Sequence, residues 1–163
     1  MTAFFFRSDS VRYWLMKSEP SVVGVDDVLA MPKRTVDWWG VRNYQARNFM
    51  RDQMKLGDRG FFYHSNCAEP GIVGIVEVCK RAYPDATQFD RKHKYFDPKS
   101  TPENPRWQNV EEKLVKKTSL VSLAESRRYK PLANMRVLAK GNRLSITPVD
   151  PAEWKFITEA LIK

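Results

Sequence analysis

Residues 57–78, GDRGFFYHSNCAEPGIVGIVEV, decide how the rest of the chain is read. Gly57 and Asp58 are a turn signal, and GFFYHS (60–65) behind them is aromatic and apolar enough for a strand. GIVGIVEV (71–78) is β-branched and apolar, and the glycine inside it, Gly74, implies a bulge or a tight bend. The short loop through Asn66, Cys67, Ala68, Glu69 and Pro70 makes the two runs a hairpin.

On the N-terminal side, RYWLMK (12–17) is a second bulky run, stopped by Ser18, Glu19 and Pro20. It reads as a buried strand that delivers Lys17, Ser18 and Glu19 to its end. Asp26 to Ala30 suit a short helix, with acids in the first turn where they complement the dipole and Pro32 just beyond. A turn-rich segment leads to Trp38. Within residues 43–54, Ala46, Phe49, Met50 and Met54 recur at spacings of three and four, which predicts an amphipathic helix. Gln45, Arg47, Asn48, Arg51 and Asp52 occupy its other face. Asn43 sits where a helix cap would, and both a capping and a ligand-binding role are open to it.

On the C-terminal side, residues 84–105 hold four prolines and many charges, too long a stretch to be a passive connector. Residues 107–121 are read as a strand and 122–127 as a helical turn; 134–140 follow neither period. RLSIT (143–147) alternates as a strand does, behind the turn residues Gly141 and Asn142. Asp150 and Pro151 announce a last helix as cap and first residue, with Trp154, Phe156, Ile157 and Leu161 as its apolar side. Short strands with a few interspersed helices predict an α+β fold. The expected architecture is a small mixed barrel with short helices over its openings, and a doubly wound sheet is disfavoured.

The 163 residues, 42% hydrophobic and 12% aromatic, are enough for one core. Twenty-eight Lys and Arg against 19 Asp and Glu give a formal charge of +9, which points to an acidic partner, most commonly nucleic acid. The competing explanation is a basic surface that is merely solvated. Two cysteines, Cys67 and Cys79, are too few for a disulfide scaffold and read as free thiols in a reducing compartment. The opening MTAFFFRSDS is interrupted by Arg7 and Asp9 and does not make a signal peptide. No apolar run approaches the roughly 20 residues of a membrane span, so a soluble, intracellular protein without membrane partners is expected.

Catalytic and metal patterns are thin. His64 and Ser65 are adjacent on a strand and so point to opposite faces, and Cys67 has no evident orienting group. No CxxC, HxH or HExxH spacing preorganises a metal site, and neither GxxxxGK[ST] nor GxGxxG is present to hold a nucleotide cofactor. What the chain does have is WGVRNYQARNFMR (39–51) directly after Trp38: indoles, amides and guanidiniums in one block. Those groups stack on bases, address base edges and neutralise phosphate. Trp14 and Trp154 lie in patterns that bury them. Trp38, Trp39 and Trp107 lie in loop-like surroundings, as stacking platforms or as packing.

Taken together, YWLMKSEP (13–20), the 39–51 block, the 57–78 hairpin, YFDPKS (95–100), Arg106 with Trp107, and NRLSITPV (142–149) resemble the EVE domain family in order and spacing. The resemblance covers residue 12 to the C-terminus and leaves 1–11 as an extension that is a candidate for disorder. It implies a fold like those of PUA and YTH domains: a curved, barrel-like sheet ringed by short helices. It also implies a non-catalytic module that seats a modified, flipped-out base of DNA or RNA. By position, Lys17, Ser18 and Glu19 would stand at the pocket mouth, Trp38, Arg42, Asn43 and Gln45 would come from the tryptophan block, and His64, Ser65 and Asn66 from the hairpin turn. Trp38, with Trp107 or Tyr63, would stack on the base; Ser18, Asn43 and Ser65 would bond its edge; Lys17, Arg42 and Arg47 would hold phosphates. The competing expectation is a hydrolase or transferase acting on a nucleotide or nucleic acid in the same pocket, with Glu19 and His64 as acid and base. No cofactor or metal is expected, the compartment is cytoplasmic, or nuclear for a eukaryotic source, and the oligomeric state is open.

Overall fold

The structure, a computed structural model, describes residues 11–163, so nearly all of the N-terminal extension lies outside the described residues. A mixed six-stranded sheet forms the body. In chain order the strands are β1 (Tyr13–Ser18), β2 (Thr35–Asp37), β3 (Arg59–His64), β4 (Gly71–Pro84), β5 (Gln108–Ser122) and β6 (Ile146–Val149), and the spatial order is β2-β5-β4-β3-β1-β6. β1 and β3 run parallel, with Tyr13 opposite Arg59 and Ser18 opposite His64; the other pairs are antiparallel.

The hairpin of residues 57–78 is present as β3 and β4, but β4 extends six residues past the expected Val78. The register between β4 and β5 shifts four times, beginning between Ile72 and Gly74. Each extra residue bends a strand and increases its twist. At Gly74 a Cβ would stand 3.2 Å from Leu114 Cδ1 and 3.2 Å from the Lys116 carbonyl oxygen, so the bulge is also a point of close approach.

Among the described residues the expected barrel is not closed by backbone pairing, because β2 and β6 both stand at edges of the sheet. Side chains close the curl instead. Val36 and Trp38 from one edge share a single core with Trp14 and Met16 of β1, Phe62 of β3 and Ile146 of β6. Two helices complete that core: α1 (Val25–Ala30) contributes Val25 and Val28, and α2 (Tyr44–Asn48) with its continuing wide turn Phe49–Gln53 contributes Ala46, Phe49 and Met50. The opposite face carries Leu15, Phe61 and Tyr63 and is covered by α4 (Pro151–Phe156) and the turn after it, through Trp154 and Ile157. Strand alternation sends the even-numbered Trp14, Met16 and Phe62 inward and the odd-numbered Leu15, Phe61 and Tyr63 outward.

Local signals set the element ends. Asn43 accepts the Ala46 amide at 3.0 Å, and Asp150 caps α4 by accepting the Ala152 amide at 2.9 Å. The third helix in chain order, α3 (Leu123–Ser126), starts on the Ser122 hydroxyl, which accepts the Glu125 amide at 3.0 Å. The strand expected at 143–147 lies instead at Ile146–Val149, with turns before it. Pro148 is tolerated there because β6 is an edge, where a missing N–H disrupts no ladder. β2 falls in what reads as a turn-rich segment; three residues are too few to show a period.

Candidate functional site

Parallel pairing of β1 with β3 brings the end of the first strand beside the hairpin turn: the Ser65 amide donates to the Ser18 carbonyl at 3.0 Å. Across from them runs the chain leaving β2. Between the two lies a cavity of about 560 Å³, walled by Lys17, Ser18 and Glu19 on one side, Ser65 and Asn66 beside them, and Asp37 to Arg42 opposite. Lys94 and Tyr95, from the long segment after β4, and Arg143 and Ser145, from the turn before β6, complete the rim. Sites for small ligands commonly measure about 300–1,000 Å³, so a single nucleobase fits.

Three aromatic side chains line the cavity. Trp38 is only 7% exposed and stands edge-on to Phe62, centroids 5.4 Å apart, so it is core and wall together. Trp39 is half-buried and meets Tyr95 and His93 edge-on, at 5.8 and 5.6 Å between centroids. The backbone between the walls needs glycine: Gly40 has φ +84°, and a Cβ there would lie 2.9 Å from the Tyr95 ring.

Polar groups are unevenly committed. The Ser18 hydroxyl donates to the Val23 carbonyl at 2.6 Å, which leaves its oxygen free to accept. The Glu19 carboxylate accepts from the Asn66 amide at 3.2 Å. Lys17 makes none of the ion pairs found among the described residues, and partial burial pulls its pKa below the usual lysine range. A partly desolvated cation without an anion is a poised acceptor of negative charge.

Arg42 lines the cavity but is not a free donor. Its Nε and Nη2 donate to the Tyr95 carbonyl at 3.1 and 2.8 Å, Nη1 to Asp85 at 3.1 Å and the Val41 carbonyl at 3.0 Å, and Nη2 to the Thr87 hydroxyl at 2.9 Å. Five N–H groups are all a guanidinium has. The role expected of Arg42 at a phosphate therefore gives way to a structural one, tying the long segment to the wall. Asp85, its partner, is fully buried; burial alone would raise its pKa. Hydrogen bonds from the Thr87 hydroxyl and amide, the Gly40 amide and Arg42 outweigh that and leave it below the usual carboxylate range.

The long segment is therefore ordered. Its hub is Gln88, fully buried: Nε2 donates to the carbonyls of Asp85 and Trp107 at 2.7 and 2.9 Å, while Oε1 accepts from the Ser100 hydroxyl and the Trp107 amide.

Other expected site residues lie elsewhere. Tyr63 is on the odd-numbered outer face, packed in the second core, and burial pushes its pKa up to about 12. His64 faces inward, but its Nε2 accepts the Val25 amide at 3.1 Å; burial lowers its pKa, against the pull of Asp26 and Asp27. That lone pair is engaged at the start of α1 and cannot serve as a base there. Asn43 is the α2 cap, Gln45 is exposed on the helix, and neither lines the cavity. Arg47 and the buried Trp107 also lie outside it. Among the described residues no group of three or more His, Cys, Asp or Glu is placed to hold a metal ion, and no helix is long and apolar enough to cross a membrane.

Sequence reasoning missed Tyr95, Lys94, Arg143 and Ser145, and left Trp39 without a role. Tyr95 had a signal, standing in a proline-rich stretch too long to be passive; Arg143 and Ser145 were absorbed into a strand that begins later.

Residues 12–160 match the family model of the EVE domain. Thymocyte nuclear protein 1 of Homo sapiens is 45% identical over 163 positions, which cover 89% of this chain and 72% of that protein. Among solved structures, a hypothetical protein from Leishmania major superposes with a TM-score of 0.86 at 41% identity, covering 93% of this chain and 95% of its own. The crystal structure of the human THYN1 protein in complex with 5-methylcytosine containing DNA gives a TM-score of 0.83 at 45% identity, over 90% of this chain and 95% of that one.

Proposed function

The chain belongs to the EVE domain family, and from that premise we propose that it is a non-catalytic nucleic-acid-binding module whose cavity receives one modified, flipped-out base. The observation that carries the reading is the pairing of aromatic walls, Trp38, Trp39 and Tyr95, with the Lys17 cation, which makes no ion pair among the described residues, in one base-sized cavity. Aromatic faces accept any base, while hydroxyl and amide groups of Ser18, Ser65 and Asn66 supply the edge contacts that discriminate. Lys17 supplies charge toward a phosphate or a base carbonyl, and Lys94 and Arg143 extend that charge along the rim.

Flipping a base from a duplex costs a few kcal/mol and least from single strands or weakened pairs, so single-stranded substrate binds best. The human THYN1 protein was crystallised with DNA containing 5-methylcytosine, which makes that base the first to test. For a eukaryotic source the reading implies a nuclear site of action, in keeping with the name of the human relative.

The test is a titration of the purified protein with single-stranded oligonucleotides that differ only at one central position, 5-methylcytosine against cytosine and other modified bases. Expected are a preference for one modified base, competition by its free mononucleotide, and weakening as salt rises. Equal affinity for every central base, with no competition by any mononucleotide, overturns the reading.

A further inference from the structure

Tyr44 is the one aromatic ring among the exposed large apolar side chains of the described residues, at 50% exposed. It stacks on the buried indole of Trp107, centroids 4.7 Å and planes 24° apart, outside the cavity. Two guanidiniums flank it. Arg47 Cζ lies 4.8 Å from the Tyr44 centroid and 5.9 Å from that of Trp107, and Arg106 Nη1 is 3.4 Å from the phenol oxygen. Half of the Tyr44 surface stays exposed beside these groups among the described residues.

The stack is contiguous with the cavity. Arg42 Cζ lies 5.3 Å from the ring of Tyr95, in the cavity wall, and 5.4 Å from that of Trp107, on which Tyr44 rests. From wall to exposed ring is three such steps, within reach of a few nucleotides of extended strand. The Arg47 guanidinium is partly committed, to Asn48 and the Arg106 carbonyl. Arg106 makes one side-chain hydrogen bond among the described residues, the long one to Tyr44, and keeps its remaining donors for an anion.

We infer that Tyr44, with Arg106 beside it, is a second contact for the same strand: its exposed ring stacks on a base a few nucleotides along from the one in the cavity, and Arg106 meets a phosphate of the strand between them. The inference rests on the base-binding reading of the cavity. The second contact is indifferent to base identity, because every base has a π face. It lengthens the footprint and adds affinity without adding selectivity.

The experiment compares two probes on wild type, Tyr44→Ala, Tyr44→Leu, Tyr44→Phe and Arg106→Ala: 5-methyl-deoxycytidine monophosphate, and a single-stranded oligonucleotide with one central 5-methylcytosine. Expected is about a tenfold loss of oligonucleotide affinity in Tyr44→Ala and Tyr44→Leu, with mononucleotide affinity within about twofold and Tyr44→Phe close to wild type. Arg106→Ala lowers the salt slope for the oligonucleotide by about one. Tyr44→Leu keeps Trp107 covered, so it separates a lost stack from a disturbed fold. Unchanged oligonucleotide affinity in both ring deletions, or an equal loss on both probes, overturns the inference. A wild type that binds the oligonucleotide without preferring 5-methylcytosine to any other base, and binds no mononucleotide, counts against the cavity reading instead; the Tyr44 loss is then read on the unmodified strand.

Discussion

Trp38 stands edge-on to Phe62, centroids 5.4 Å apart, although β5 and β4 both separate β2, which Trp38 directly follows, from β3 in the sheet. A sheet whose edge touches its own middle is curled, and this contact is part of what holds the curl. It also sets the depth of the cavity, because the indole that lines the wall is rooted in the core. Binding and stability are therefore coupled at Trp38.

Trp38→Ala is expected to destabilise the fold by about 3–5 kcal/mol, as large core truncations do, besides losing a cavity wall. Trp39→Ala, at a half-buried ring, is expected to cost far less stability and about 1–3 kcal/mol of base binding. Denaturant unfolding beside oligonucleotide titration separates the two. A Trp39→Ala variant with wild-type affinity would remove Trp39 from the wall.

Lys17→Met is expected to lower oligonucleotide affinity and reduce the salt slope by about one, while leaving unfolding stability unchanged or slightly raised, because a partly desolvated cation is removed. The lowered pKa gives a pH signature. The ammonium loses its proton below the usual lysine range, so wild-type binding weakens as pH rises through that lowered value, and the Lys17→Met variant lacks this component. Titrations across alkaline pH decide it.

Asp85→Asn is expected to cost about 1–3 kcal/mol, since it weakens acceptance from Gly40, Thr87 and Arg42 at a buried position. The folded-state pKa is depressed, so the carboxylate's contribution is present above the unfolded value and is lost as pH falls through the lowered one. Limited proteolysis should then cut first within residues 85–107, and cleavage elsewhere would place the anchor outside this pair.

Glu112 is fully buried, both carboxyl oxygens lack hydrogen-bond partners among the described residues, and burial, with Asp58 nearby, pushes its pKa up to about 8. A carboxyl with a raised folded pKa is held protonated in the fold, so its stabilising share is complete below 4.5 and is lost as pH rises to about 8. Glu112→Gln is expected to remove that decline, so that the variant gains on wild type between those limits by an amount on the order of a few kcal/mol. Thermal unfolding at both ends of the window is the measurement; parallel profiles for the two proteins would rule this account out.

The local features of this chain were legible because they rest on neighbours in sequence. The hairpin of residues 57–78, the glycine at its bulge, the Asp150–Pro151 helix start and the apolar positions of α2 all follow from period, turn chemistry and capping. The strand end at Lys17, Ser18 and Glu19 followed in the same way, whereas its place at a pocket mouth came from the resemblance to the EVE domain family. Tertiary structure alone decided which aromatic rings face a ligand. Trp38, Trp107 and Tyr63 are equally plausible as text, yet strand parity sends Tyr63 to the outer core, the Gln88 hub draws Trp107 away from the cavity, and only Trp38 lines it. Tyr95 joins the wall from more than fifty residues beyond Trp39 because Arg42 and Asp85 hold its segment there and Gly40 leaves room for its ring. Period and propensity describe forces along the chain. A cavity is made where distant parts of the chain fail to fill the space between them, and that depends on how the sheet curls.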